Sequence, residues 1–558
     1  MNRLPTGVQL EIFILLHQSD RGECMRVCRT WESIINSFCL LHTISITSRH
    51  QVKKLKSMFK LEPQRCRFVE RVVIFFNSGM NSDIGVLLSN LPALREICVP
   101  TAQLTKKQIR RGAFKYMEKY LEHLTEYSGS AMTTSLLEYN TYYRLKTLAT
   151  YDNTYVSVRD LFSKLTNTPV LTELRIGKCS ISTTDMELLH AAAPLLQSVY
   201  FTDANIIAND TRSSRAPSSI VIDYEPVPSL TTFSLKFHSE TNRASDIVDF
   251  FRIVRKKYIN LKKFELNYVD ELRESRENEK RLLYKEVLQP YCQELGSSLK
   301  ELSTFVVSGS QSLLGWLEET DCRIQNLNLE VSLTNWNLGI AGASRLKYIR
   351  KLTLKKLRCS EFAWLGDCTA LKELNISFES SQNQESSLKI VKLDTIVNSI
   401  PSTVTALTLS CLQLQSDGST IQIPSVKELE LREVPLVLGL DASISQTFPQ
   451  LDVLRLIQCG LPINEFITFD SRLSYLHVED IRTKRNKPKA AMLLRTTDNN
   501  EERVYRQMKY RMGEDRLSHC LTKLDGTIYP QSKVVSYDSA SPDSLIIITC
   551  RSVKNVIY

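Results

Sequence analysis

A short string of apolar positions recurs along most of this chain. It consists of one apolar residue, two variable residues, a second apolar residue, one variable residue and a third apolar residue. Because alternate residues of a strand point to opposite faces, the second and third apolar positions predict a short strand with one buried face. Successive copies are often about 22 to 25 residues apart. The copies begin at Val69, Leu94, Leu171, Leu196, Leu230, Leu261, Ile324, Ile349, Leu371, Val404, Val426, Leu451 and Leu473.

The segments between these strings carry turn and helix signals. Proline ends a preceding helix and biases the residue before it toward extended backbone, so it can release the chain into a strand. The segments 183–193, 244–258 and 279–295 have helical character. The pattern is weak near Leu124 and Leu145 and near Leu299. Proline stands two residues before the first apolar position at Pro92, Pro169, Pro228, Pro424 and Pro449.

Two copies continue into a longer pattern, with a cysteine and one more apolar residue at Cys179 and Ile181 and again at Cys459 and Leu461. Length and pattern resemble the leucine-rich repeat, whose units span about 20–29 residues. The resemblance implies an α/β fold, a leucine-rich-repeat solenoid with a parallel concave sheet and helices on the convex side.

The segments 207–226 and 378–387 look like polar insertions, and such loops are common binding elements.

The first 38 residues follow a helical period. Pro5 needs no backbone donor at a helix start, so a helix should begin at about this residue. One apolar strip holds Val8, Ile12, Leu15 and Leu16, and a second strip on another side holds Leu10 and Phe13. Three short helices cannot bury both strips by themselves, so a second surface must cover one of them.

This N-terminal pattern resembles the F-box, with Leu4-Pro5, the helix residues 11–13, the aspartate Asp20 and the string Val-Cys-Arg-Thr-Trp at 27–31. Arg21 departs from the pattern, since a leucine usually follows the aspartate. The resemblance implies docking onto the Skp-type adaptor of an SCF ubiquitin ligase, and through it onto a cullin. The residues implied at or just behind the contact are Leu4, Pro5, Ile12, Leu15, Val27, Cys28 and Trp31.

Composition narrows the function classes. The apolar share of 42% and the charged share of 24% are those of a folded soluble protein, and no apolar run approaches membrane-spanning length. The 14 cysteines are scattered singly and are expected to be reduced thiols, which favours the cytoplasm or nucleus. No Walker loop, GxGxxG, HExxH or GxSxG motif occurs, and we expect no cofactor, no metal and no enzymatic activity of the chain itself.

The variable residues between the apolar positions are expected to project from the concave sheet. Acids, bases and amides alternate there, whereas a nucleic-acid surface would carry one dominant sign with stacking aromatics. A protein partner is therefore favoured, and nucleic acid is not expected as a partner. The charged candidates for partner binding are Glu173, Arg175, Lys351, Lys355, Glu373, Glu428, Glu430, Arg432 and Arg455.

These features predict three domains: an F-box-like helical domain at 1–48, a leucine-rich-repeat solenoid at 49–481, and a basic loop with a C-terminal capping region at 482–558. The functional hypothesis is a non-catalytic substrate receptor of an SCF-type ligase, which holds a target protein near the ubiquitin-transfer machinery. Two alternatives stay open. One is a repeat scaffold outside any ligase, and the other is an RNA-associated adaptor that uses the basic segments 482–489 and 503–511.

Overall fold

The structure is a computed structural model. It describes Pro5, 8–9, 12–13, 24–25, 27–35, 42–74, 82–99, 124–129, 137, 141–150, 158–207, 225–237, 242–268, 277–305, 322–331, 344–357, 362–378, 388–415, 421–436, 440–460, 466–479, 491–496, 498, 501–506, 527–529 and 545–557. The chain divides into two compact units, Met1–Ser298 and Leu299–Tyr558.

The first unit contains a parallel sheet. Each repeat strand pairs in parallel with the repeat strand that precedes it in the chain, from β1 through to β10. The small strand β7 pairs with the end of β8. The strands are β1 Thr43–Ile46, β2 Arg71–Ile74, β3 Glu96–Val99, β4 Glu126–Gly129, β5 Thr147–Thr150, β6 Glu173–Gly177, β7 Ser180–Ile181, β8 Ser198–Ile206, β9 Thr232–Phe237 and β10 Lys263–Tyr268.

The second unit repeats this arrangement. Its repeat strands pair in parallel from β11 to β20, and β15 pairs with β17 beside this ladder. The strands are β11 Glu301–Phe305, β12 Asn326–Glu330, β13 Lys351–Leu357, β14 Glu373–Phe378, β15 Lys389–Lys392, β16 Ala406–Ser410, β17 Leu412–Gln415, β18 Glu428–Arg432, β19 Val453–Ile457, β20 Phe466–Glu479, β21 Ala491–Thr496, β22 Glu501–Arg506, β23 Thr527–Tyr529 and β24 Leu545–Ile557.

Helices alternate with these strands. The segments with predicted helical character at 183–193, 244–258 and 279–295 are helical, and the third contains a π-helical stretch at Tyr284–Leu288. Short 3₁₀ helices occupy Pro63–Phe68, Leu165–Asn167, Gly296–Ser298, Ser344–Tyr348 and Ala363–Asp367. The α-helices are α1 Arg29–Ile34, α2 Arg49–Leu61, α3 Ser82–Ser89, α4 Val158–Lys164, α5 Thr183–Ala192, α6 Ala244–Lys257, α7 Glu277–Leu283, α8 Gln289–Leu295, α9 Leu393–Val397 and α10 Leu440–Thr447.

The predicted repeat string is confirmed, because its second and third apolar residues lie on parallel strands with side chains turned into the core. In the copy from Leu451, for example, Leu454 and Leu456 are fully buried on β19. A parallel strand ladder with helical connections at this period is the leucine-rich-repeat fold, so the expected α/β class is confirmed.

Four described strands of the two parallel ladders occur where the pattern was weak or was not assigned to a repeat. They are β1, β4, β5 and β11. On β5 and β11 the third apolar position holds a threonine, and both Thr150 and Thr304 are completely buried. A threonine can occupy a strand position, but its hydroxyl breaks the apolar string on which the prediction depended. On β4 this position is Gly129.

The prolines act through a tight turn just before each strand. The N–H of Leu171 donates to the carbonyl of Thr168, and the N–H of Leu451 donates to that of Phe448, so Pro169 and Pro449 are the second residues of four-residue turns. Proline is favoured at this position because its fixed φ suits the turn. The predicted release of the chain into a strand therefore occurs through these turns.

Strand ends share a second local feature. Among the described residues other than glycine, six have φ between 48° and 58°, and each lies two positions after the third apolar residue of its repeat. The backbone N–H of such a residue can donate to the next strand, as Lys178 does to Thr202 at 2.7 Å. These residues are Lys178, Asp203, Lys356, Cys411, Glu433 and Gln458.

The helical layer of the first unit contains a buried polar network. His190 Nε2 lies 2.6 Å from the hydroxyl of Tyr258, and the Tyr291 hydroxyl donates to the Tyr258 carbonyl at 3.1 Å. Lys257, which is almost fully buried, forms an ion pair with Glu187. Burial, and then the nearby Lys257 charge, lower the pKa of His190 to about 3. His190 is therefore neutral at physiological pH.

At the C-terminal end, β24 pairs in parallel with β20, and β21 to β23 form a further group of strands with it. The basic run 482–489 and most of the two predicted insertions lie outside the described residues, and the proposed three-domain division stays a prediction. In the part of the chain that the structure describes, no helix has the length and apolarity needed to cross a membrane.

Candidate functional site

The N-terminal segment has a small aromatic core. Phe13 is fully buried with Ile34 and Ile35, and Trp31 packs against this cluster. The Phe13 and Trp31 rings meet edge to face, with centroids 5.2 Å apart. Trp31 is thus a partly buried member of this cluster.

The same segment also exposes apolar side chains. Val8 is 43% exposed and Val27 is 63% exposed, while Ile12 and Cys28 are half-buried. Pro5 is exposed, and its carbonyl accepts hydrogen bonds from the N–H groups of Val8 and Gln9, which confirms a helix start at Pro5. The strip containing Val8 and Ile12 therefore faces outward, and Phe13 faces inward. Leu4 and Leu15 lie outside the described residues.

The second candidate site is the outward face of the strands in the second unit, which we term the strand face. Leucine and isoleucine point inward on each strand, and the residues between them point outward in three rows. Register places Thr353, Asn375, Thr408, Glu430 and Arg455 side by side in the middle row. Because neighbouring parallel strands lie about 4.8 Å apart, these side chains form one continuous surface.

A groove of about 800 Å³ runs over the strand face between β13 and β19. Seven of the nine charged residues that the sequence predicted for partner binding line this groove: Lys351, Lys355, Glu373, Glu428, Glu430, Arg432 and Arg455. The fold therefore brings together seven of the charged residues that the sequence predicted for partner binding.

Most charges of the groove are paired within it. Lys351 Nζ lies 2.6 Å from Glu373 Oε2, and Arg455 Nη1 lies 3.1 Å from Glu428 Oε2. On β18, Arg432 donates to Glu430 at 2.7 Å. Exposed pairs of this kind contribute little to stability, roughly 0–1 kcal/mol each, but they hold long side chains in fixed positions.

The remaining two predicted residues lie in the first unit. Glu173 and Arg175 are outward residues of β6, and the Arg175 Nε donates to Glu173 at 2.5 Å. The Arg175 guanidinium also stacks over Tyr200 at 4.7 Å. Glu173 and Arg175 therefore form a local ion pair on the sheet of the first unit.

Sequence reasoning missed the uncharged floor of the groove and two of its lysines, Lys356 and Lys372. Lys356 lies within a register irregularity of β13, between Leu354 and Leu357, which the apolar string does not reveal. The floor residues occupy outward repeat positions and could have been assigned from the same pattern. They are Thr353, Asn375, Ser377, Ala406, Thr408 and Ser410.

The buried cysteines of this structure are poorly suited to thiol chemistry. Burial raises the pKa of Cys179, Cys368, Cys459 and Cys550 to about 12, so these thiols stay protonated. Among the described residues, all cysteines are free and no cluster of three His, Cys, Asp or Glu side chains could hold a metal ion.

Comparison with known proteins gives one family match. Residues 1–47 match the F-box-like family model. No curated protein sequence matches the chain. Among solved structures, the chain is similar to an internalin, InlF, from Listeria monocytogenes, with 15% identity, coverage of 66% of this chain and 84% of that chain, and a TM-score of 0.30. It is also similar to TLR13 in a complex with ssRNA13, with 14% identity, coverage of 75% and 65%, and a TM-score of 0.30.

The class of protein follows from the family match and from the strand ladder itself. The chain is a leucine-rich-repeat protein with an F-box-like domain at residues 1–47. This combination is typical of non-catalytic adaptors.

Proposed function

We propose that the chain is the substrate-recognition subunit of an SCF-type E3 ubiquitin ligase. The F-box-like domain docks on a Skp-type adaptor, and through it on a cullin, while the repeats bind a target protein. The observation that carries this proposal is the F-box-like match together with the exposed apolar residues Val8 and Val27. Exposed apolar side chains on a small domain of this kind support an interaction surface.

The chain contributes binding and positioning in this role, and other ligase subunits supply the chemistry of ubiquitin transfer. Holding the target near the transfer site raises its effective concentration, which accelerates transfer without a reactive group on the receptor. Buried thiols fit a reducing compartment, and we propose that the protein acts in the cytoplasm, the nucleus or both.

The adaptor contact is tested best at Val27, because its side chain is exposed and its replacement leaves the Phe13–Trp31 core intact. We expect Val27→Asp to reduce retention of a purified Skp-type adaptor by at least tenfold in a co-purification assay. Leu61→Asp is the matched control, since Leu61 is 82% exposed but lies outside the F-box-like match.

Equal adaptor retention by Val27→Asp and Leu61→Asp would count against docking through this surface. If the unmodified chain retains no adaptor while it remains folded, the alternative of a repeat scaffold outside any ligase replaces the receptor proposal.

A further inference from the structure

The shape of the groove is the first feature that restricts which kind of polypeptide can bind in it. The outward side chains of β16 are all small and uncharged, namely Ala406, Thr408 and Ser410. Long charged side chains stand on either side, from β13 and from β18. The backbones of β13 and β18 are three strand spacings apart, about 14 Å. The side chains that project from β13 and β18 make the groove narrower than this distance between backbones. An extended polypeptide therefore fits the groove better than a helix of about 10–12 Å diameter.

Charge is the second feature. The groove is lined by six lysine or arginine side chains and three glutamates. The three glutamates pair with Lys351, Arg432 and Arg455, and Lys356 pairs with Glu330 of β12 at 2.8 Å. Lys355 and Lys372 have no ion-pair partner among the described residues. The groove therefore keeps an excess of positive charge after its internal pairs are counted.

The distribution of charge along the groove gives it a direction. At the end where the strands begin, the outward row carries one base, Lys351, and two acids, Glu373 and Glu428, so this row has no excess of positive charge. At the end where the strands finish, Ser377 and Ser410 lie in register with Arg432, and Lys355 lies within the irregularity of β13, between the positions paired with Ile376 and Phe378. Within the groove this finishing row contains two cations, two hydroxyl groups and no acid, and Glu330 of β12, in register with Lys355, forms its ion pair with Lys356.

We propose that this groove binds an extended acidic segment of the target protein, with a carboxylate side chain held between Lys355 and Arg432 over the hydroxyl groups of Ser377 and Ser410. The ammonium, the guanidinium and the hydroxyls all donate hydrogen bonds to such a carboxylate. The inference rests on the proposed function, since it names the chemical class of the segment that the repeats recognise.

The test is fluorescence anisotropy with the full chain and a labelled twelve-residue peptide of alternating glycine and glutamate. We expect binding that weakens as salt increases, and binding of the glycine–glutamine counterpart at least tenfold weaker. Lys355→Glu should weaken binding of the glutamate peptide at least tenfold. Lys427→Glu is the matched control, because Lys427 is exposed beside β18 but does not line the groove. This control should change binding less than twofold.

A second variant tests shape rather than charge. Thr408→Trp places a large side chain on the floor of the groove and should abolish peptide binding while the thermal melting curve stays unchanged.

Three results overturn the proposal: no binding of the glutamate peptide, equal losses in Lys355→Glu and Lys427→Glu, or tighter binding of a twelve-nucleotide oligouridine at the same surface. Adaptor retention is measured on the same preparations. Loss of peptide binding with the adaptor retained contradicts only the groove proposal, whereas peptide binding without adaptor retention contradicts only the ligase role.

Discussion

At the scale of single residues, the repeats depend on a backbone conformation that side chains usually avoid. A residue other than glycine pays roughly 1–2 kcal/mol in the left-handed region, and six such residues stand at the same repeat position. Each is followed by a residue that enters the core, as Lys178 is by Cys179 and Gln458 is by Cys459. The strained residue turns the chain from the sheet back into the interior, so the repeat pattern rather than residue type decides where this conformation occurs.

Lys178 offers a direct test of this conformation, because its side chain is exposed and its φ is 48°. We expect Lys178→Gly to leave the free energy of unfolding within about 0.5 kcal/mol, since relief of strain offsets the greater backbone entropy of glycine. Lys178→Val should destabilise by about 1–2 kcal/mol, because a β-branched side chain is least compatible with this φ. Urea denaturation measures both, and equal effects of the two substitutions would contradict the argument.

His190 makes stability depend on pH. Its pKa is about 3 in the folded chain, against about 6.5 when unfolded, so below pH 6.5 the unfolded chain binds a proton that the folded chain does not. The contribution of neutral His190 to the free energy of unfolding is fully present above pH 6.5. It is lost as the pH falls toward 3, by up to about 1.4 kcal/mol per pH unit.

We therefore expect His190→Gln to flatten the dependence of the unfolding midpoint on pH between 6.5 and 4.5. His50→Gln is the control, because His50 is exposed on α2 and should leave that dependence unchanged. An unaltered slope in His190→Gln would show that this histidine is not the group responsible.

At the scale of the strand and its repeat, the residue at the third apolar position decides whether the sequence alone can locate a strand. Where leucine, isoleucine, valine or phenylalanine fills the third apolar position, the string alone locates the strand, as at Leu329 and Leu456. Where threonine fills it, packing still buries the side chain but the string disappears. The charged groove residues could be named in advance because their outward direction follows from the same alternation. Their grouping could not, because it depends on strand register and on the irregularity of β13.

Thr304 shows the cost of such a substitution in a strand. Its hydroxyl is buried on β11 without a hydrogen-bond partner. An unsatisfied buried polar group costs roughly 1–3 kcal/mol, so Thr304→Val should raise the free energy of unfolding by about 1 kcal/mol or more. Thr304→Ser keeps the hydroxyl and removes a methyl group, and it should lower stability by about 1 kcal/mol. Denaturant titration distinguishes the two, and a destabilised valine variant would show that the hydroxyl has a role in the fold.

At the scale of the whole molecule, the F-box-like match and the repeat sheet share a segment of chain. The match ends at residue 47, yet β1 at Thr43–Ile46 pairs in parallel with β2 and buries Ile44 and Ile46. Ser48 then caps α2 by accepting a hydrogen bond from the N–H of Gln51. The F-box-like segment therefore leads directly into the first strand of the repeat sheet of the first unit.

This overlap predicts how shortened chains will behave. A chain that starts at residue 42 keeps β1 and the Ser48 cap, and it should melt as the repeat sheet of the full chain does. A chain that starts at residue 49 loses two buried isoleucines, about 1.5–3 kcal/mol each, and the cap, about 1 kcal/mol. It also leaves the edge of β2 unpaired, which favours association between chains. We expect a lower melting midpoint and larger particles in light scattering for the shorter chain. Indistinguishable behaviour of the two shortened chains would mean that the sheet does not depend on its first strand.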